Sequence, residues 1–320
     1  MALVEPFMVK TGLGLEADEV LEVEAKTGES LVIKDVIVHR ATAKYVVLEI
    51  DKTTVGFFRV ASADLGSHLY PVFAFTNNAT SYLGLKAESS ITLINYMIRK
   101  GWMRGYPVAE GQKFRVKPYT SGKSLGNVAI VYEKYDAGDI KSTDLNGSEA
   151  SEYIFVNYGQ PSDNLTEADD YLISDSKTTK EFPDFPFGEE VPSKTTIEVL
   201  GILGSESLNY QASDTYTYTK FLKMFKGRKC LFDRDRRGLP FYHPLLSGIS
   251  AGTYIARGFS VVGNYSSVDR RQPFLPPTPL VFNSGDEVNV YVTAGQATNA
   301  GSIDKKYVEI AFIEHVKIAE

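Results

Sequence analysis

Four histidines, His39, His68, His243 and His315, are the first place to look for metal or acid–base chemistry, and they stand apart from one another. A strand that holds a metal through imidazoles needs His-x-His, because alternate residues share a face, and a helix needs His-x-x-x-His. Neither spacing occurs. His68 and His243 each lie close to a proline, Pro71 and Pro244, and read as structural residues beside Pro turns. Gly122–Ser124 spells Gly-Lys-Ser, but a phosphate-cradling loop needs a glycine where Lys117 stands and a strand-to-helix setting, so this is a hairpin loop. Gly248–Gly252 (GISAG) has the outer frame of a nucleophile elbow, yet Ser250 sits among strand-like segments rather than at a strand–turn–helix. The single cysteine, Cys230, excludes an intramolecular disulfide and a cysteine-based zinc site. No catalytic residue, metal or cofactor is expected. Paired carboxylates remain open, because their pairing is spatial.

Charge is more organised than catalysis. The chain carries a net charge of −6 and is therefore not a general polyanion binder. Acids gather in DNLTEADD, Asp163–Asp170, which lacks the glycine and the 1-3-5 spacing of a calcium loop and reads as the solvated start of a helix. Bases gather in Lys220–Arg237, where Lys220, Lys223, Lys226, Arg228, Lys229, Arg234, Arg236 and Arg237 outnumber Asp233 and Asp235. That stretch could meet the phosphates of a genome or of lipid headgroups. Pairing with the acidic segment of the same or a neighbouring copy is the favoured reading.

The elements that must carry these residues are strands. Alternating runs such as Leu31–His39, Lys44–Ile50, Lys113–Pro118, Asn127–Tyr135, Thr195–Leu200, Glu287–Thr293 and Tyr307–Ile318 dominate, and Gly, Asn, Asp and Pro separate them. The 19 Tyr and 18 Phe against one Trp favour strands and association. Helical segments are few, with SSITLINYMIRKGW readable as helix or strand and Thr166–Ile173 as a short capped helix. The start of the chain lacks a basic segment followed by an apolar run, so no signal peptide is expected.

The chain also repeats itself. YPVAEGQKFRVKPYTSG (Tyr106–Gly122) and PLVFNSGDEVNVYVTAG (Pro279–Gly295) share a Pro, a short apolar step, a Gly, an alternating strand and a second Gly. The blocks KTGESLVIKDVIVHRA and VPSKTTIEVLGILGSES correspond as well, and so do VGFFRVASADLGSHLYPVF and KCLFDRDRRGLPFYHPLLS, all in one order at offsets of roughly 165 to 180 residues. Tandem β domains follow: 1–140, a connecting excursion 141–190, and 191–320. Within the excursion Phe182, Phe185 and Phe187 are too apolar to be left in water and are expected at an interface.

Two like β domains joined by a long excursion, each closed by a Pro-x-Gly strand and a return strand, resemble the double jelly-roll major capsid proteins of tailless icosahedral viruses of bacteria and archaea. The resemblance covers nearly the whole chain and rests on architecture and block order. It implies two jelly-roll barrels, no enzyme activity, and a homotrimer whose six barrels form a hexagonal tile of the virion shell after folding in the host cytoplasm. Implied partners are the chain itself, other capsid or vertex proteins, and a genome or internal membrane met through Lys220–Arg237. Interface residues are expected at Phe182, Phe185, Phe187, Arg234, Arg236 and Arg237. The competing readings are a spike or carbohydrate-binding β-sandwich module, and a bicupin-like enzyme disfavoured by the scattered histidines.

Overall fold

The structure, a computed structural model, describes residues 2–39, 41–43, 45–59, 92–136, 152–175, 188–204, 219–232, 237–240, 245–246, 256–257, 263–264, 273–294 and 310–319. The chain divides into two compact units, Met1–Ile154 and Phe155–Glu320. Strands in the first are β1 (Leu3–Ala17), β2 (Leu21–Glu24), β3 (Ser30–His39), β4 (Tyr45–Ile50) and β5 (Thr53–Arg59). A helix, α1 (Leu93–Arg99), follows, and then β6 (Tyr106–Val108), β7 (Lys113–Pro118) and β8 (Ser124–Tyr135). The rest of the chain carries β9 (Glu152–Pro161), β10 (Asp170–Asp175), β11 (Thr195–Gly204), β12 (Thr219–Lys226), β13 (Lys229–Cys230), β14 (Leu239–Pro240) and β15 (Leu245–Leu246). Its last strands are β16 (Ala256–Arg257), β17 (Gly263–Asn264), β18 (Leu280–Asn283), β19 (Val288–Ala294) and β20 (Ile310–Ile318).

Unit 1 holds two four-stranded sheets, ordered β1-β8-β3-β6 and β2-β7-β4-β5. Counting strands within the unit gives 1-8-3-6 and 2-7-4-5, the two interleaved Greek keys of a jelly roll. Unit 2 repeats that order. β20 lies between β9 and β11 with β18 on the far side of β11, and β19 lies between β10 and β12 with β13 beyond. The registered strand pairs within these eight-strand frameworks are antiparallel; the parallel contact of β17 with β11 is an addition. The protein is all-β, with one short helix among the described residues.

Alternation explains where each core sits. β7 and β19 bury every second residue, Phe114 and Val116 in one, Val288, Val290 and Val292 in the other. In unit 2 these valines meet Ile197, Val199, Leu222, Met224, Phe282, Phe312 and Val316 in one cluster. Each such side chain contributes about 1.5–3 kcal/mol by leaving water.

Two turns carry the repeat down to single hydrogen bonds. Ala109–Gln112 joins β6 to β7 with Gly111 at φ +77°, and Asn283–Asp286 joins β18 to β19 with Gly285 at φ +81°. In each, the fourth residue's N–H donates to the first carbonyl, at 3.0 and 2.9 Å. Its side chain accepts from the first N–H, Ala109 to Gln112 Oε1 at 2.9 Å and Asn283 to Asp286 Oδ2 at 2.6 Å. The glycine N–H then reaches the segment ahead of the third strand, donating to Ala25 O at 2.8 Å and Val191 O at 2.9 Å. The third strand also shifts register at one place in both units, between Ile33 and Asp35 and between Val199 and Gly201.

A second pair of turns matches in geometry but not in residue. Lys26–Glu29 closes with Gly28 at φ +75°, whereas Pro192–Thr195 closes with Lys194 at φ +63°. A lysine there bears left-handed strain of about 1–2 kcal/mol, partly offset by the greater entropy glycine loses on folding. Lys194→Gly is therefore expected to raise stability by roughly 0.5–1 kcal/mol, and Gly28→Ala to lower it by about 1 kcal/mol. Chemical denaturation followed by circular dichroism measures both; a loss of stability in Lys194→Gly would overturn the first.

Two segments differ from the sequence reading, and a third, readable there as helix or strand, is a helix. Residues 152–175, placed there in the connection, form β9 and β10, the first two strands of the second barrel framework. The acidic run is a loop between them rather than a helix start, pinned by Leu165, which is fully buried in the core cluster. Tyr171 organises that loop, its hydroxyl accepting from the N–H of Thr166 and Glu167 at 3.0 and 3.1 Å. SSITLINYMIRKGW contains the helix α1, whose first turn is capped by Thr92 Oγ1 accepting from Asn95 N–H at 3.1 Å.

Candidate functional site

The two sheets of each unit present different chemistry to the outside. On the β2-β7-β4 face Lys113 lies 3.1 Å from Glu22 and 3.3 Å from Glu24, Arg115 lies 3.2 Å from Glu22, and Lys117 pairs with Glu49. Hydrogen bonds from Lys113 and then Arg115 hold the Glu22 carboxyl below its ordinary range. The matching face of unit 2 carries Asp170 on β10, whose carboxylate accepts from Lys223 of β12 at 2.6 Å and from Thr293 of β19 at 2.5 Å. Such exposed pairs each contribute about 0–1 kcal/mol, so they set register and keep these faces wet more than they hold the fold.

In unit 1 the other sheet is apolar outside along β1. Cross-strand partners on one face of β1-β8-β3 are Val9 with Val131, Thr11 with Ala129, and then Asp35 and Ile37. Leu3, Val4, Phe7, Val9 and Leu13 of β1 are all exposed, Phe7 at 68% and Leu13 at 77%. α1 covers the far end of this face at β3, where the Thr92 hydroxyl donates to Asp35 Oδ1 and Val36 N–H donates to the same oxygen at 2.9 Å. Burial pushes the Asp35 carboxyl up to about 6 from its ordinary 3.8, against the opposing pull of the Thr92 and Val36 hydrogen bonds and the more distant Arg99 charge.

The residues singled out in the sequence are distributed unevenly. Phe182, Phe185, Phe187, Arg234 and Arg236 lie outside the described residues, as do His68, His243 and GISAG. Arg237 is described and exposed, next to Gly238 at the entry to β14. Within the basic stretch Lys223 pairs with Asp170 of the acidic run and Lys226 with Asp286 at 2.7 Å, so the two opposite segments do meet inside one chain. Gly122–Ser124 is the β7–β8 hairpin, held by Gly122 N–H donating to the Asp18 carboxylate at 2.9 Å. His315 lies 3.2 Å from Glu198, which also takes Lys317 at 2.9 Å, an ion-paired patch on the outer face of β11 and β20. No group of three or more His, Cys, Asp or Glu side chains able to hold a metal occurs among the described residues.

Two features escaped the sequence reading. Asp35 was visible as one acid inside the apolar run LVIKDVIV, which marks either a bulge or a cap partner. β1 was hidden because Pro6, Gly12 and Gly14 interrupt its alternation.

No family model and no curated protein matches the chain. Among solved structures, the chain is similar to one titled "Crystal structure of PBCV-1 VP54 fitted into a cryo-EM reconstruction of the virophage Sputnik". The likeness has a TM-score of 0.34 at 9% sequence identity and covers 100% of this chain and 96% of that one.

Proposed function

We propose that this chain is a structural subunit: the major capsid protein of a viral shell, working as a closed homotrimer whose three copies supply six barrels of one design. The supporting observation is that one strand order, 1-8-3-6 over 2-7-4-5, is built twice in succession in one polypeptide. A threefold ring of such chains presents six similar edges, which is what a hexagonal tile requires, and needs no catalytic group. Exposed apolar surface on one sheet and ion-paired surface on the other suit lateral packing with a wet remainder. Phe182, Phe185, Phe187, Arg234, Arg236 and Arg237 belong to this proposal as further lateral contacts, and the virion is its location.

Light scattering on the purified protein is expected to give three times the 35.4 kDa chain mass, and electron micrographs a particle of near-hexagonal outline. A monomer at every concentration, or a trimer lacking that outline, would overturn the reading.

A further inference from the structure

The eight-strand repeat allows one surface to be compared with its own counterpart. In unit 2 the outer-face partners of the third and eighth strands are Gly201 with Ile313 and Leu203 with Ala311; in unit 1 the same positions are Asp35 with Val131 and Ile37 with Ala129. Ile313 and Ala311 are 0% and 4% exposed, and Val156 and Tyr158 on the neighbouring first strand are buried too. Val131 and Ala129 are only half-buried, and the first strand beside them is bare. Pro273 and Leu275 lie over Gly201, while α1 lies over Asp35, so both units cover the third strand. Among the described residues, nothing in unit 1 covers its first and eighth strands in the same way.

We propose that this shelf, formed by Phe7, Val9 and Leu13 of β1 with Ala129 and Val131 of β8, is the seat of a second copy of the same chain. The inference rests on the trimer reading and names the surface that the trimer uses. Five of the eight large apolar side chains exposed among the described residues lie on β1 alone. Of these, Phe7, Val9 and Leu13 present on the order of 400 Å², against the roughly 800 Å² that each partner gives to a standard interface, so one strand supplies about half of one side. Edge-to-edge strand pairing is not the mode. Pro6 removes a donor, Gly14 is left-handed at φ +62°, and the β1 register shifts in three places, all devices that blunt an edge. Docking is by the face, onto a different surface of the next copy, and three such contacts close the ring.

Phe7→Glu and Leu13→Ser test this in the full chain. Both side chains stand mostly in water in the single chain, so folding and circular dichroism are expected to be unchanged while the concentration for half-dissociation of the trimer rises by roughly tenfold or more. Lys52→Glu, in the turn between β4 and β5, is the control and leaves assembly intact. Amide exchange of β1 is expected to be slow in the trimer and fast after dilution. Variants that remain trimeric as the parent does would overturn the shelf and leave the trimer reading standing. So would β1 amides equally protected in monomer and trimer, which would mean that the chain covers its own shelf. A parent protein that never trimerises would overturn the trimer reading itself, and the shelf with it.

Discussion

Asp35→Asn is expected to make unit 1 more stable at pH 8 by roughly 2 kcal/mol, and to make no comparable difference at pH 4.5. The sign follows from where the proton binds. With a folded pKa of about 6 against an ordinary 3.8, the folded state keeps a proton on Asp35 over the window between those values while the unfolded chain has lost it. Stability from this group is therefore fully present below about 4 and is lost as pH rises through about 6. The full linkage would be about 3 kcal/mol; the asparagine keeps Oδ1 for Thr92 and Val36 but must bury an amide NH2 whose two donors need partners, which takes back part of the gain. Trp102 is the sole tryptophan, sits beside α1 with its ring 5.9 Å from Tyr96, and so reports on this unit by fluorescence during urea unfolding. An equal difference between parent and variant at pH 8 and pH 4.5 would assign the effect to something other than the buried charge.

Gly105→Ala is the second large effect, a loss of about 4 kcal/mol or more from unit 1. Gly105 precedes β6 at φ +127°, and a Cβ there would press on the Ile33 carbonyl oxygen inside van der Waals contact and stand 2.8 Å from Val32 Cγ1. Neither neighbour has room to yield, since Ile33 and Val32 are buried in β3, the strand that pairs with β6. Gly101→Ala separates the two causes. Gly101 is also left-handed, at φ +74°, but nothing lies within 4 Å of its would-be Cβ, so only the strain of about 1–2 kcal/mol applies. The Trp102 transition should fall to far lower urea in the first variant and only slightly in the second. Equal shifts in the two would mean that strain alone governs both sites.

What the sequence made legible was whatever depends on neighbours along the chain. β7 and β19 announce themselves because one face is dry and the other wet, so apolar and polar residues alternate without interruption. The repeat was legible for a related reason: a turn that needs a left-handed residue selects glycine locally, and Gly111 and Gly285 mark the same turn in both halves. β1 was illegible because it has scarcely any dry face in the single chain, which removes the pressure for alternation. β10 was read as a helix start because Asp169 and Asp170 also suit a first turn; the tertiary partner that decides, Lys223 on β12, is far away in sequence. α1 is seven residues long, too short for its period to separate helix from strand. Asp35 needed both its bulge and its partner on α1 to be understood, and only the first of these is local.

The place of β8 and β20 in their sheets has a consequence for synthesis. Each is the last strand of its unit to be made, and each is central, β8 between β1 and β3 and β20 between β9 and β11. Neither barrel can close until that strand has left the ribosome. The first can do so once Tyr135 is free, whereas the second must wait for Ile318. At ordinary rates of ~5–20 residues per second the second closure trails the first by on the order of ten seconds or more. For that interval a finished first barrel carries its bare apolar strand alongside an open, half-made sibling. Newly made chains on one message are then at risk of sticking through β1 before they are complete, and a chaperone would be most useful in that window.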